Sequence, residues 1–203
     1  MKWKTINNII IPIISLPIMM IIMIHQEYYI QPITDMKESD NFVVVFIDTW
    51  NDKPWYGVPD WELWWENEVI PHCKNVLVPL RQYLVNNNAN VVFSPAGFKI
   101  YKGFNPINEP VLNETVELID YLRIHEIKTV YYVGYATNVC VLNRPTGIKE
   151  MSRLGCHTYL VEDATVALEG VGYTYNEAIA LAEEVGTVVD IEYLKEKVKE
   201  LNN

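Results

Sequence analysis

The chain predicts a three-layer α/β domain built on a parallel sheet, and three observations carry that expectation. Residues 42–47 read FVVVFI, a continuous apolar run of the kind a strand needs when both its faces are covered. Such runs alternate with stretches of helical spacing from residue 42 to the end, as in repeated strand and crossover-helix units. The chain has 203 residues, 50% of them apolar, which suffices for one substantial core and is too short for a multidomain assembly.

The first element is of a different kind. Residues 9–24 read IIIPIISLPIMMIIMI, sixteen positions without a charge, preceded by Lys2 and Lys4. As a helix this run rises about 24 Å, slightly less than the ~30 Å of a bilayer core, with Trp3, Tyr28 and Tyr29 placed to sit at the interfaces. A first-turn proline suits Pro12, and Pro17 would kink the helix. The residues that follow, HQEYYIQP, hold no small-residue cleavage site, so an uncleaved anchor fits better than a removed signal or a buried arm. The expectation is an N-terminal hydrophobic helix within residues 1–30, a polar linker at 31–41 and an α/β domain at 42–203. The basic flank precedes the span, which directs the domain to the non-cytoplasmic side of a membrane, an organellar one included.

Within the domain the reading runs strand 42–47, helix 62–85 divided by Pro71 and Pro79, strand 90–94, helix 113–126, strand 129–133, helix from Cys140 to about Leu154, strand 157–161, helix 175–184, a short strand at 187–191 and a charged terminal helix. Val116, Ile119, Leu122 and Ile124 are expected on one side of the helix over 113–126. Asn113-Glu114-Thr115 is both a glycosylation sequon and a helix-capping sequence.

A net charge of -10, with no cluster of Lys or Arg, argues against nucleic acid as a partner. Cys73, Cys140 and Cys156 are too few and too scattered for a disulfide framework, and none forms a CxxC pair. The histidines His25, His72, His125 and His157 have no ligand spacing, so no metal and no cofactor is expected.

Ligands of such folds sit beyond the carboxyl ends of the strands. Asp48 ends the first strand, and Cys140 follows the strand over 129–133, where a turn feeds a helix N-terminus. Backbone N–H groups there stabilise a thiolate and receive an oxyanion, and a neighbouring carboxylate accepts the thiol proton. Taken singly, each residue has an ordinary structural explanation as well, a packed cysteine and a capping carboxylate.

The residues then carry a family likeness. VYYVGYATNVCVLNRPTGIKEMSRLGCHTYLVEDAT, residues 130–165, resembles the signature of the isochorismatase-like cysteine hydrolases, and VVVFIDTWND, residues 43–52, is similar to their opening strand with its catalytic Asp. The likeness spans about residues 41–184. It implies a Rossmann-like hydrolase acting through an Asp, Lys and Cys triad on C–N or related bonds, with Cys140 as nucleophile, Asp48 as general base, and the N–H groups of Ala136 and Cys140 as the oxyanion hole. It also implies a cis peptide at Tyr135-Ala136.

The triad lysine is where this sequence departs from the family. Its expected place falls near residues 106–108, which hold no Lys. Lys102, then Lys99, are the nearest candidates, and the alternative that carries the most weight is that the site has no lysine at all. The Asp-x-His used by metal-binding members is replaced by Ser94-Pro95-Ala96-Gly97.

Five of the six tryptophans lie within sixteen residues, directly after Asp48. Trp50 and Trp55, with Asn138 in the cysteine motif, are expected to contact substrate, whereas Trp61, Trp64 and Trp65 are expected to pack against a partner or a membrane surface. Arg144, one turn beyond Cys140, is read as a structural ion pair or a binder of a substrate carboxylate. The function expected is hydrolysis of a small amide-like substrate by a membrane-anchored, oligomeric protein. The rival is an inactive subunit with a structural role in a membrane complex.

Overall fold

The computed structural model describes residues 4–6, 9–11, 30–51, 60–168 and 170–202. In the first unit of the chain, strands β1 (Lys4–Ile6) and β2 (Ile9–Ile11) pair antiparallel. The hydrophobic helix expected over residues 9–24 is therefore not formed at 9–11, and its remainder lies outside the described residues. Among the described residues, no helix is long and apolar enough to cross a membrane.

The second unit begins at Pro32. Part of the stretch expected as a linker is packed into it. Ile33 is fully buried, its N–H donates to the Leu154 carbonyl (2.8 Å), and Lys128 Nζ pairs with Glu38 (2.6 Å). The short polar stretch reads as a linker because a single apolar residue among turn formers gives no periodic signal.

Strand β3 (Phe42–Ile47) is buried at every residue and is an inner strand, second from one edge of a five-stranded sheet. Its neighbours are β4 (Asn90–Ser94) on one side and β5 (Thr129–Tyr135) on the other, followed outward by β6 (His157–Val166) and β7 (Thr187–Val189), all parallel. Both faces of β3 carry apolar side chains because both are covered. Phe42, Val44 and Phe46 pack with Leu77, Leu80, Leu84, Leu194 and Val198, whereas Val43, Val45 and Ile47 are buried on the opposite face.

The first of these faces is covered by a helical run composed of α1 (Trp61–Trp64), α2 (Ile70–His72) and α3 (Val78–Asn86), together with the C-terminal helix α7 (Ile191–Glu200). Pro71 and Pro79 do not divide this run as the sequence suggests. Each is preceded by a wider, π-type turn, Trp65–Val69 and Cys73–Leu77, that accommodates a ring which would clash with the carbonyl four residues back. Helices α4 (Thr115–Ile124), α5 (Ile148–Arg153) and α6 (Tyr175–Val185) complete the second unit. In α4, Leu118, Ile119 and Leu122 are buried, while Val116 and Ile124 are exposed. The buried face is thus rotated from the one expected, onto positions i, i+1 and i+4. Asn113 and Glu114 donate their N–H groups to Glu117 Oε2 (2.7 and 3.1 Å), so the sequon segment serves as the cap of α4.

Strands β5 and β6 run further than the apolar pattern indicates. A bulge between Tyr132/Leu160 and Gly134/Thr165 lets pairing resume beyond it, carrying β6 through Glu162-Asp163-Ala164-Thr165. The extension brings the end of β5 and the turn after it alongside the end of β3.

Candidate active site

At the carboxyl edge of the sheet, Asp48 directly follows β3 and has a positive φ of 52°. That left-handed conformation is one that Asp tolerates better than most residues, and it turns the chain sharply at the strand end. Beside it, Gly134 has φ 116°, and a Cβ on it would lie 2.0 Å from the Ile47 carbonyl oxygen. Only glycine lets β5 approach β3 so closely here.

After β5 comes the Tyr135-Ala136 peptide, which is cis, then a π-type turn at Thr137–Val141 that contains Cys140. The helix expected from Cys140 to Leu154 is interrupted. The chain leaves helical geometry at Arg144, because a residue before proline disfavours the α conformation and Pro145 supplies no N–H. A tight turn, closed by the Gly147 N–H on the Arg144 carbonyl (2.8 Å), leads into α5. A side chain at Gly147 would meet the Val141 carbonyl oxygen at 2.7 Å, so this turn too depends on glycine.

The result is a three-residue cluster. Arg144 Nε lies 3.0 Å from Asp48 Oδ2, with the aspartate side chain fully buried and the arginine 17% exposed. Neither carboxylate oxygen receives a well-aligned hydrogen bond from the described residues, so what faces Asp48 is the guanidinium and the Cys140 thiol. Burial raises the Asp48 carboxyl to about 7, against the lowering pull of Arg144 and Cys140. Burial and the Asp48 charge push the Cys140 thiol up, while Arg144 and a backbone hydrogen bond at Ala136 pull it down. The thiol and the fully buried carboxyl therefore compete for a proton.

Cys140 lines two spaces. One is an apolar cavity of about 100 Å³ walled by Trp50, Trp61, Trp64, Trp65, Leu168 and Val171. The other is an open groove of about 580 Å³ of mixed lining, in which Asn113, Glu114, Asn143 and Arg144 stand beside Val139 and Pro145. Trp50 is held by its indole N–H on the Pro95 carbonyl (2.7 Å), and Trp64 by its own on the Ala167 carbonyl (2.7 Å). Trp61 and Trp65 are buried; Trp65 stacks on Trp50, and Trp61 packs against Trp65 at a tilt. The outward-facing interface expected of Trp61, Trp64 and Trp65 is thus not what these side chains form: they turn inward over Cys140. Helical periodicity gives the face of a helix but not what that face meets.

Asn138 is buried, and its amide is occupied by backbone. Nδ2 donates to the carbonyls of Leu168, Val171 and Tyr173 (2.9, 2.8 and 2.5 Å), and Oδ1 accepts from the Leu168 N–H (2.8 Å). It clasps the loop that supplies one cavity wall. Lys99 and Lys102 are exposed, on a segment whose backbone bonds to Thr49 and Asn51, and neither acts on Asp48 or Cys140. Trp55 lies outside the described residues. Ser94, in the place of the family's metal motif, shares a 2.8 Å hydrogen bond with Thr146, and no group of His, Cys, Asp and Glu among the described residues is placed to hold a metal. Arg144 forms an ion pair, as its four-residue spacing from Cys140 suggested, and the partner that the sequence did not name is Asp48.

A family model described as the isochorismatase domain matches residues 88–192, just over half of the chain. The chain belongs to the isochorismatase family. Solved structures of that fold are similar to it at low identity. A cysteine hydrolase from Pseudomonas syringae pv. phaseolicola 1448A matches with a TM-score of 0.59 and 15% identity, over 81% of this chain and 95% of its own. An isochorismatase-like hydrolase from Alkaliphilus metalliredigens matches at 0.55 and 17%, over 77% and 98%. A nicotinamidase from Bacillus subtilis matches at 0.54 and 15%, over 74% and 99%. No curated protein matches the sequence. At these identities the structural likenesses speak for the isochorismatase fold, and the family assignment rests on the domain match.

Proposed function

We propose that this isochorismatase-family chain is a cysteine hydrolase acting on a small amide-like substrate. The observation that carries the reading is the position of Cys140, at the meeting of an apolar cavity and an open groove that holds Asn113, Glu114, Asn143 and Arg144, with a buried carboxylate beside its thiol. A merely structural cysteine needs neither an approach for substrate nor a proton acceptor.

In this reading the small apolar portion of the acyl group occupies the tryptophan-walled cavity and the polar leaving group lies in the groove. Asp48 takes the Cys140 proton as the sulfur attacks the carbonyl carbon. The N–H groups of Ala136 and Cys140 receive the oxyanion, and Asp48 returns the proton to the departing nitrogen, leaving a thioester. Water, deprotonated by Asp48, then releases the acid and restores the thiol. A carboxyl raised to about 7 suits this work, since a base is most effective when its affinity for the proton is near the working pH. An apolar cavity of roughly 150 Å³ accepts benzene, so one of about 100 Å³ favours acyl groups no larger than a small ring.

The test is hydrolysis of a panel of small uncharged amides, from acetamide to ring amides, by the wild type and Cys140→Ala. Turnover of at least one compound, reduced by 10³-fold or more on removing the sulfur, is the expected result. Equal rates in the two proteins would remove Cys140 from the chemistry.

A further inference from the structure

We infer that Arg144 supplies the positive charge of this site, a positioning residue that holds the Asp48 carboxylate and keeps the Cys140 sulfur ionisable. This rests on the proposed cysteine chemistry and deepens it. Three observations lead to it. Arg144 is placed one turn beyond the nucleophile, with its N–H on the Cys140 carbonyl (3.0 Å), so the two side chains share a face. The break imposed by Pro145 ends the helical turn there, and the guanidinium meets Asp48 at 3.0 Å. Both lysines expected for the task are exposed and engaged elsewhere through their backbone.

A stabilising role alone does not account for the pair. Burying a carboxylate and a guanidinium costs several kcal/mol of hydration that their attraction only about returns, and apolar residues of the same volume serve a core as well or better. What an apolar replacement could not do is bias a proton equilibrium. With Arg144 beside it, the pair of Asp48 and Cys140 gives up its first proton at a lower pH than it otherwise would, and the attraction is strong because the carboxylate is fully buried. Arg144 lowers both groups. The charged and titratable groups around this pair among the described residues are Asp48, Cys140 and Arg144 themselves, with Glu114 across the groove and Tyr135 in the wall of the apolar cavity.

Because guanidinium is a planar donor with a delocalised charge and lysine is a point charge, the two are not equivalent in geometry, but they are equivalent in sign. That separates two variants. The rate of Cys140 alkylation by iodoacetamide, followed by mass spectrometry from pH 5 to 9, should rise with an acid limb near pH 7 in the wild type. In Arg144→Gln, or Arg144→Met if the first fails to fold, the limb moves up by about one unit, so that alkylation at pH 6 is about tenfold slower. Arg144→Lys keeps the limb within about half a unit of wild type. A folded neutral variant with the wild-type limb overturns the inference and leaves the hydrolase reading standing. A wild-type protein with no limb near 7, and Cys140 as inert as Cys73, overturns both.

Discussion

Asp48, Gly134 and Cys140 come from three separate stretches of chain, and the demands on each are local. Asp48 turns the chain at φ 52°, Gly134 leaves room for the Ile47 carbonyl, and Cys140 sits in a turn closed by Val139 and Val141 N–H groups on the Ala136 carbonyl (3.1 Å each). Gly134 is the most constrained of them. A methyl group there would overlap backbone rather than a flexible side chain, so β3 and β5 would have to separate at their active ends. Gly134→Ala is expected to destabilise the fold by about 3 kcal/mol, seen as a lower urea midpoint with an unchanged slope. A midpoint equal to that of the wild type would mean that the strand ends yield easily, and that glycine is not what sets the Asp48 to Cys140 approach.

Among the elements, the strands were the most legible in the sequence. The continuous apolar run at 42–47 coincides with β3, because burial on both faces leaves little choice of residue, and the shorter run at 91–93 lies in β4. What was less legible followed from tertiary context. The bulge that prolongs β5 and β6 has no periodic signature, and the proline-linked π-type turns keep one helical run continuous where proline ordinarily breaks it. The site followed the same division. Asp48 and Cys140 could be found from their places after strands, since chemistry in such folds gathers there. The inward turn of Trp61 and Trp64 could not, because it depends on the loop clasped by Asn138 and on the Ala167 carbonyl, more than a hundred residues away from Trp64. Arg144 was visible by spacing, but its partner lies 96 residues earlier in the chain, and only the folded sheet brings the two together.

For the whole molecule, the buried carboxylate has a cost that depends on pH. The folded state holds the Asp48 proton up to about pH 7, whereas an unfolded chain releases it near 4. The folded state therefore binds more protons between those values, and stability falls as pH rises from about 4 to about 7, then levels off with respect to this group. Asp48→Asn removes the titration. It is expected to be more stable than wild type at pH 8 by about 2 kcal/mol, a figure below the full pKa difference because Arg144 loses its anionic partner. At pH 4 the advantage should vanish. Denaturant melts of the two proteins at both pH values measure this, and a variant less stable than wild type at pH 8 would show that the ion pair outweighs the desolvation of Asp48. Such a gain in stability with loss of activity is the usual sign of a group retained for function.

The central claim, that Asp48 and Cys140 share a proton in a site open to substrate, is tested most directly by the alkylation rate of Cys140 against pH in wild type and Asp48→Asn. Burial pushes all three thiols up to about 12, but only Cys140 has Asp48 and Arg144 beside it, so Cys73 and Cys156 serve as controls within the same molecule. The account predicts a wild-type rate that rises through about pH 7 and then levels, at least tenfold above both controls, and a variant in which that limb is lost and Cys140 is slower at pH 7. Identical profiles in the two proteins, or a Cys140 no more reactive than the two buried thiols, would contradict it.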